Sequence, residues 1–171
     1  MLAPVLAFAA GCSHYGLGTE GRLDFTTIYV KPVVNRTLLP QAQAMITSQL
    51  RDAFEKDGRV TLVNSPQAAE ASLEVVLLTY RREIAAVREQ DTGLASKLAI
   101  TLTLSCTLRD NRTGRPYFEN RLLKVNRAAF TDSGNPNSSL VGDQLQSEYN
   151  TVPLLATSIS AKIAHTVLDV W

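Results

Sequence analysis

Cysteine and histidine are scarce in this sequence, with two of each in 171 residues. That is too few for a zinc ribbon or a disulfide-rich secreted scaffold. An excess of one charge is also missing: 17 Lys plus Arg face 16 Asp plus Glu, for a formal net charge of +1. Chains that wrap nucleic acid carry a marked basic excess, so nucleic acid is not an expected partner. Beyond the N-terminus, no stretch reaches the roughly 18 apolar residues that a membrane-spanning helix needs. There is no G-x-S-x-G, no Gly-rich phosphate loop and no H-E-x-x-H. His14 and His165 have no Cys, His or acidic neighbour at metal-ligand spacing. The expectation is a non-enzymatic protein with no cofactor and no metal.

What is present is ordinary globular material. Hydrophobic residues make up 45% and charged residues 19%. A chain of this length forms one domain and buries roughly 70% of its unfolded surface, so it needs no staples. The N-terminus departs from this pattern. Met1 to Gly11 is uncharged and almost wholly apolar, and Ala9, Ala10 and Gly11 lead into Cys12. A short apolar segment closed by small residues reads as a secretory signal. A cysteine just after such a cut site is where bacterial lipoproteins carry their acyl chains. The expected organisation is a cleaved signal over 1–11, lipidated Cys12, a Gly-rich tether over 12–25 and one domain over 26–171.

Along that domain, Thr26 to Val30 alternates and is β-rich, and Pro32 limits it as a ladder donor. Gln41 to Asp57 is predicted helical, with Ala42, Met45, Ile46, Leu50, Ala53 and Phe54 on one face and Gly58 as the left-handed cap. Arg59 to Val63 is a short strand. Ser72 to Arg82 is a long one with apolar residues on both parities, which suggests cover on both faces. Leu98 to Arg109 holds a period of two for twelve residues, with Leu98, Ile100, Leu102, Leu104, Cys106 and Leu108 pointing one way. On that parity Cys106 is a buried structural thiol. Turn residues Asp110 to Gly114 lead into a returning strand, Pro116 to Val125. Thr151 to Val170 is predicted as a second helix, with Thr151 as its cap and Pro153 in its first turn. The fold class expected is α+β: a mostly antiparallel sheet of four to five strands with two helices on one face.

Charge is unevenly placed. From Arg81 to Arg127 there are ten basic residues and five acidic ones, a net +5 in a chain of net +1. Arg109, Arg112 and Arg115 flank one tight turn that cannot bury them, and the acid nearest in sequence is Asp110. Arg grips phosphate through paired hydrogen bonds, so this tip together with Arg81 and Arg82 is the candidate contact for an anionic glycolipid.

Several motifs recur in a recognisable order. Gly11-Cys12 is followed by Tyr15-Gly16 and then by Ile28-Tyr29-Val30-Lys31-Pro32-Val33-Val34-Asn35-Arg36-Thr37. A helix with Leu50, Phe54 and Gly58 comes next, then Ala69-Glu70-Ala71-Ser72-Leu73, Leu108-Arg109-Asp110 with Thr113-Gly114, and a last helix ending in Trp171. In order and spacing, from Gly11 to Trp171, this resembles the LptE family of lipopolysaccharide-assembly lipoproteins. The resemblance implies two helices on a mostly antiparallel sheet. It also implies a periplasm-facing protein, lipid-anchored in the outer membrane of Gram-negative cells. There it would plug an LptD-like β-barrel and bind lipopolysaccharide through basic residues. A second reading, from the strand–Pro–Asn-Arg-Thr–helix run, is a lipoprotein interaction module that activates a cell-wall synthase or forms a secretion-pore subunit.

Overall fold

The computed structural model describes residues 23–87, 95–130 and 140–169. Gly11, Cys12, most of the tether, the loop over 133–137, Val170 and Trp171 lie outside the described residues. In chain order the elements are β1 (Thr27–Val30), β2 (Val34–Asn35), α1 (Ala42–Asp57), β3 (Thr61–Leu62), a 3-10 turn (Pro66–Ala68), β4 (Ala71–Val87), β5 (Ala95–Asp110), β6 (Pro116–Phe130) and α2 (Leu140–Leu168).

The α+β expectation holds, but the sheet is mixed and has six strands, in the order β3-β1-β4-β5-β6 with β2 also on β4. β1 and β2 pair with β4 in parallel, and β3 pairs with β1 in parallel. Only the β4–β5–β6 ribbon is antiparallel. The parallel part follows from the connections. A helix separates β2 from β3, and a crossover of that kind returns the chain in the same direction, whereas a tight turn reverses it.

Both helices pack on one face of the sheet. From α1 they bury Ala42, Ile46, Leu50 and Phe54, spaced by four; from α2, Val152, Leu155, Ala156, Ile159, Ile163 and Val167. All but Val152 share one core with Leu98, Ile100, Leu102, Leu104, Cys106 and Leu108, the alternate residues of β5. Gly58 sits at φ 75° and its N–H donates to the Phe54 carbonyl, closing α1 as the sequence predicts. The segment Gln144–Leu168 is long and apolar enough to cross a membrane, yet 56% of its apolar 18-residue stretch is buried within this fold. Its apolar stripe is already committed to the sheet and α1.

α2 begins eleven residues before the expected Thr151. Thr151 is therefore no cap: its Oγ1 donates back to the Ser147 carbonyl inside the helix. Pro153 is internal as well. β4 also differs. Leu77 pairs with Leu104 and Thr79 with Thr103, so one extra residue, Leu78, bulges between them. The bulge resets parity. Tyr80 and Arg82 then share the helix side with Leu77, and this break explains much of the both-parity apolar pattern.

The Asn35-Arg36-Thr37 run has a local structural job. Asn35 Oδ1 accepts from the Thr37 N–H at 2.9 Å and the Thr37 hydroxyl at 2.8 Å, while Asn35 Nδ2 donates to the Leu39 carbonyl at 2.8 Å. This side-chain-held turn aims the chain from β2 into α1.

Cys106 is fully buried, and desolvation pushes its thiol up to about 12. Cys106→Ala should cost about 1–2 kcal/mol through a small cavity and leave partner binding unchanged. Denaturant midpoints measure the cost. Rapid alkylation of the folded protein would show the strand facing the wrong way.

Candidate functional site

The five arginines singled out from sequence do not form one site. Arg109, Arg112 and Arg115 sit at the β5–β6 turn. Arg81 lies opposite Thr101 on β5, eight residues from Arg109, which is about 26 Å along a strand. Arg81 and Arg82 also point to opposite faces, since Arg81 pairs with Thr101 and Arg82 with Ile100.

Most of these cations already have acidic partners. Arg109 Nη2 lies 2.8 Å from Glu119 Oε1. Arg112 reaches Asp110 at 3.5 Å and Glu70 at 3.7 Å, and donates to the Asp24 carbonyl at 3.2 Å. Arg81 lies 3.5 Å from Glu83. Arg82 Nη1 donates to both oxygens of Glu148, at 3.3 and 3.2 Å. The turn therefore does not carry Asp110 as its sole acid: folding adds Glu70, which is distant in sequence, and pairs Glu119 of the returning strand with Arg109. Hydrogen bonds shape these carboxylates. The Arg112 backbone N–H holds Asp110 below the ordinary carboxylate range, and the Thr26 N–H does the same for Glu70. Arg115 alone of the five is exposed with no carboxylate within ion-pair reach among the described residues.

The Arg82–Glu148 pair forms the floor of an open groove of about 590 Å³, walled by Arg36, Leu38 and Tyr80. Burial, and after it the Glu148 charge, push the Tyr80 hydroxyl above the ordinary phenol range. Among the described residues no group of three His, Cys, Asp or Glu could hold a metal. His165 Nδ1 lies 3.3 Å from Asp169 Oδ2, one turn on in α2, and is largely exposed.

Sequence reasoning passed over another set of cations. Arg121, Lys124 and Arg127 lie on β6, the last strand of the sheet, and Lys162 lies on α2 beside it. Period-two alternation separates Lys124 from its neighbours, and Lys162 is remote in sequence. Only the packing of α2 along β6 joins them.

A model of the family described as LptE, lipopolysaccharide-assembly, matches residues 25–164. The chain belongs to the LptE family. Its members are non-enzymatic lipoproteins of the bacterial envelope concerned with lipopolysaccharide assembly. No curated protein matches the sequence. Among solved structures, the LptE-family chain is similar to a minor lipoprotein from Acinetobacter baumannii at 16% identity and TM-score 0.53, covering 86% of this chain and 93% of that one. It is similar to a protein from Xanthomonas campestris at 14% identity and TM-score 0.59, covering 84% of each chain. A third is uncharacterized lipoprotein B from Nitrosomonas europaea, at 14% identity and TM-score 0.54, covering 88% and 91%. At these identities the likeness is one of fold. It extends over most of each chain, so the mixed sheet with two helices is the shared unit.

Proposed function

We propose that this chain is an outer-membrane lipoprotein, anchored through lipid on Cys12, that assists lipopolysaccharide assembly as the plug and partner of an LptD-like β-barrel and binds lipopolysaccharide. The observation that carries the reading is the family match over residues 25–164. The physical form suits it. A plug must be a rigid body with a polar surface to meet a polar lumen. The sheet face away from the helices bears Thr79, Thr101, Thr103, Thr107 and Lys124, and the core lies on the other side. Of the five sequence-selected arginines, Arg115 is the one free to meet an anionic ligand at the turn.

The described chain begins beside that turn, where Arg112 holds the Asp24 carbonyl. Cys12 precedes Leu23 by eleven residues, so a tether from it reaches at most about 40 Å. The turn is thus where the proposed tether joins the described fold. Affinity purification from native envelopes should yield an outer-membrane β-barrel protein. Recovery of a cell-wall synthase in its place would overturn the reading. Cys12→Ser should move the protein from the membrane fraction to the soluble periplasm in cells depleted of the barrel. Retention of that variant on the membrane would refute lipid anchoring.

A further inference from the structure

We propose that the open edge of β4, from Tyr80 to Ile84, pairs antiparallel with the same edge of a second copy of the chain, about a two-fold axis at Arg82. The fold treats its two long edges differently. β6 is the last strand of the sheet, and α2 lies along it. Lys162 Nζ donates to the Lys124 carbonyl at 3.0 Å, and Ser147 Oγ donates to the Phe130 carbonyl at 2.6 Å. Helix side chains thereby occupy outward carbonyls of that edge, which is one way a protein blunts an edge strand. The second half of β4 is treated otherwise. β4 pairs with β5 from Ala71 to Val87, but on its other side β1 and β2 stop at Leu77. Among the described residues no strand lies beside it there from Leu78 to Ile84.

The strand itself shows which groups face that opening. The Leu77 carbonyl accepts from the Arg36 N–H, on the β2 side. Leu77 also points its side chain to the helix side, as Tyr80, Arg82 and Ile84 do after the bulge at Leu78. Side-chain face and backbone direction alternate together along a strand. Tyr80, Arg82 and Ile84 therefore turn both N–H and C=O to the opening, while Arg81 and Glu83 turn theirs to β5. The next register break comes at Ala85, so Tyr80 to Ile84 is regular strand with Arg82 at its centre. Apolar groups flank the opening. Ile84 is 66% exposed. On α2, Glu148 faces Arg82 and Ser147 faces β6, which leaves Leu145 and Tyr149, 59% and 61% exposed, on the flank turned toward the opening.

The order of charges identifies the occupant. On the face away from the helices, the Arg81 and Glu83 side chains are 70% and 58% exposed. An antiparallel copy centred on Arg82 sets Arg81 across from Glu83 of the second copy, and Glu83 across from Arg81 of the second copy. Each charge then meets its opposite both along its own strand and across the interface. A centre moved by one residue either way sets Arg81 against Arg81 or Glu83 against Glu83. The register at Arg82 also sets Tyr80 across from Ile84 twice on the helix side. It sets Arg82 across from Arg82, each already compensated by Glu148. The three pairs formed by Tyr80, Arg82 and Ile84 exchange two hydrogen bonds each, which satisfies the backbone groups at the opening. Because a two-fold axis relates the copies, one surface supplies both halves of the interface. Five residues of strand bury little area, so the association is weak and reversible. It is a property of the chain by itself and does not rest on the function proposed above.

The test is sedimentation velocity on the full chain carrying Cys12→Ser, which keeps the buried Cys106 as its one thiol, from micromolar to sub-millimolar concentration. This parent should show a reversible monomer–dimer equilibrium. Arg81→Glu or Glu83→Arg alone should weaken the dimer about tenfold, because two cross-strand attractions become repulsions. The double change Arg81→Glu/Glu83→Arg should return to within about threefold of the parent, since it restores both attractions. Ile84→Pro should abolish the dimer and keep the fold, because the N–H it removes faces the opening and not β5. Circular dichroism and melting report the fold of each variant. Disulfide formation reads the register. Arg81→Cys mixed with Glu83→Cys should cross-link, since residues opposed in this way have Cα atoms about 4.5 Å apart, within disulfide reach. The second Arg81–Glu83 pair stays intact in that mixed dimer. Either cysteine variant alone should cross-link far less. A parent that stays monomeric to sub-millimolar concentration would overturn the pairing and leave the edge to a strand of another protein. A dimer indifferent to the charge changes and to Ile84→Pro would overturn it as well, by placing the contact on another surface.

Discussion

Replacing Phe54 with alanine should cost about 3–5 kcal/mol of unfolding free energy, a large share of the roughly 5–15 kcal/mol that a domain of this kind possesses. The ring is fully buried, on the last turn of α1, in the cluster that also holds Ile46, Leu50 and the β5 leucines. Its carbonyl accepts the Gly58 N–H that closes the helix. Truncation leaves a cavity the size of a ring between two layers that cannot collapse without tilting α1. Phe54→Leu keeps most of the volume and should cost no more than about 1.5 kcal/mol. Glu55→Ala, one residue on and exposed, should change stability by less than about 0.5 kcal/mol. Urea denaturation with an unchanged slope reads all three. A loss below 1 kcal/mol for Phe54→Ala would mean that α1 is not packed as described.

The same helix shows what a single chain can reveal. The apolar positions of α1, its glycine cap and the six inward residues of β5 are legible because each is a local regularity: a period of four, a left-handed φ, a period of two. The start of α2 differs from the expected Thr151 for a local reason too. Thr151 and Pro153 form a convincing helix opening, yet Thr151 Oγ1 is equally able to return to the Ser147 carbonyl inside a longer helix. The two-residue strands β2 and β3 and their parallel pairing depend on what lies beside them in space, which no short window carries.

The candidate site was harder still. Counting charge finds a basic stretch of sequence, but pairing is a property of the folded state. Glu70, remote in sequence, and Glu119, across the same hairpin from Arg109, neutralise two of the turn's three arginines. Lys162 reaches β6 only because α2 lies along it. Arg81 and Arg82 point to opposite faces by strand alternation, and the one-residue bulge at Leu78 decides that Arg82 is the one on the helix side. A surface site built from cations is therefore read from their partners more than from their number.

The Arg82–Glu148 contact provides a test of that view in stability. Glu148 is the one charged residue among the described buried ones, at 8% exposure. It accepts from Arg82 twice and from Gln144 Nε2 at 3.3 Å, which leaves its charge compensated. Removing Arg82 alone strands a carboxylate under α2. For a fully buried pair that costs about 3–5 kcal/mol. The Arg82 side chain is 53% exposed, so water replaces part of the lost interaction and about 2–3 kcal/mol is the expected loss for Arg82→Met. Glu148→Leu removes the charge that needed a partner, leaves Arg82 free to turn to solvent and should cost less than about 1 kcal/mol. The double variant should then be close to Glu148→Leu, recovering about 2 kcal/mol relative to Arg82→Met, because no buried charge remains. Chemical denaturation of the four proteins completes the cycle. Additive losses would show that the two side chains do not interact. In that case α2 would be held over the far end of β4 by apolar packing alone.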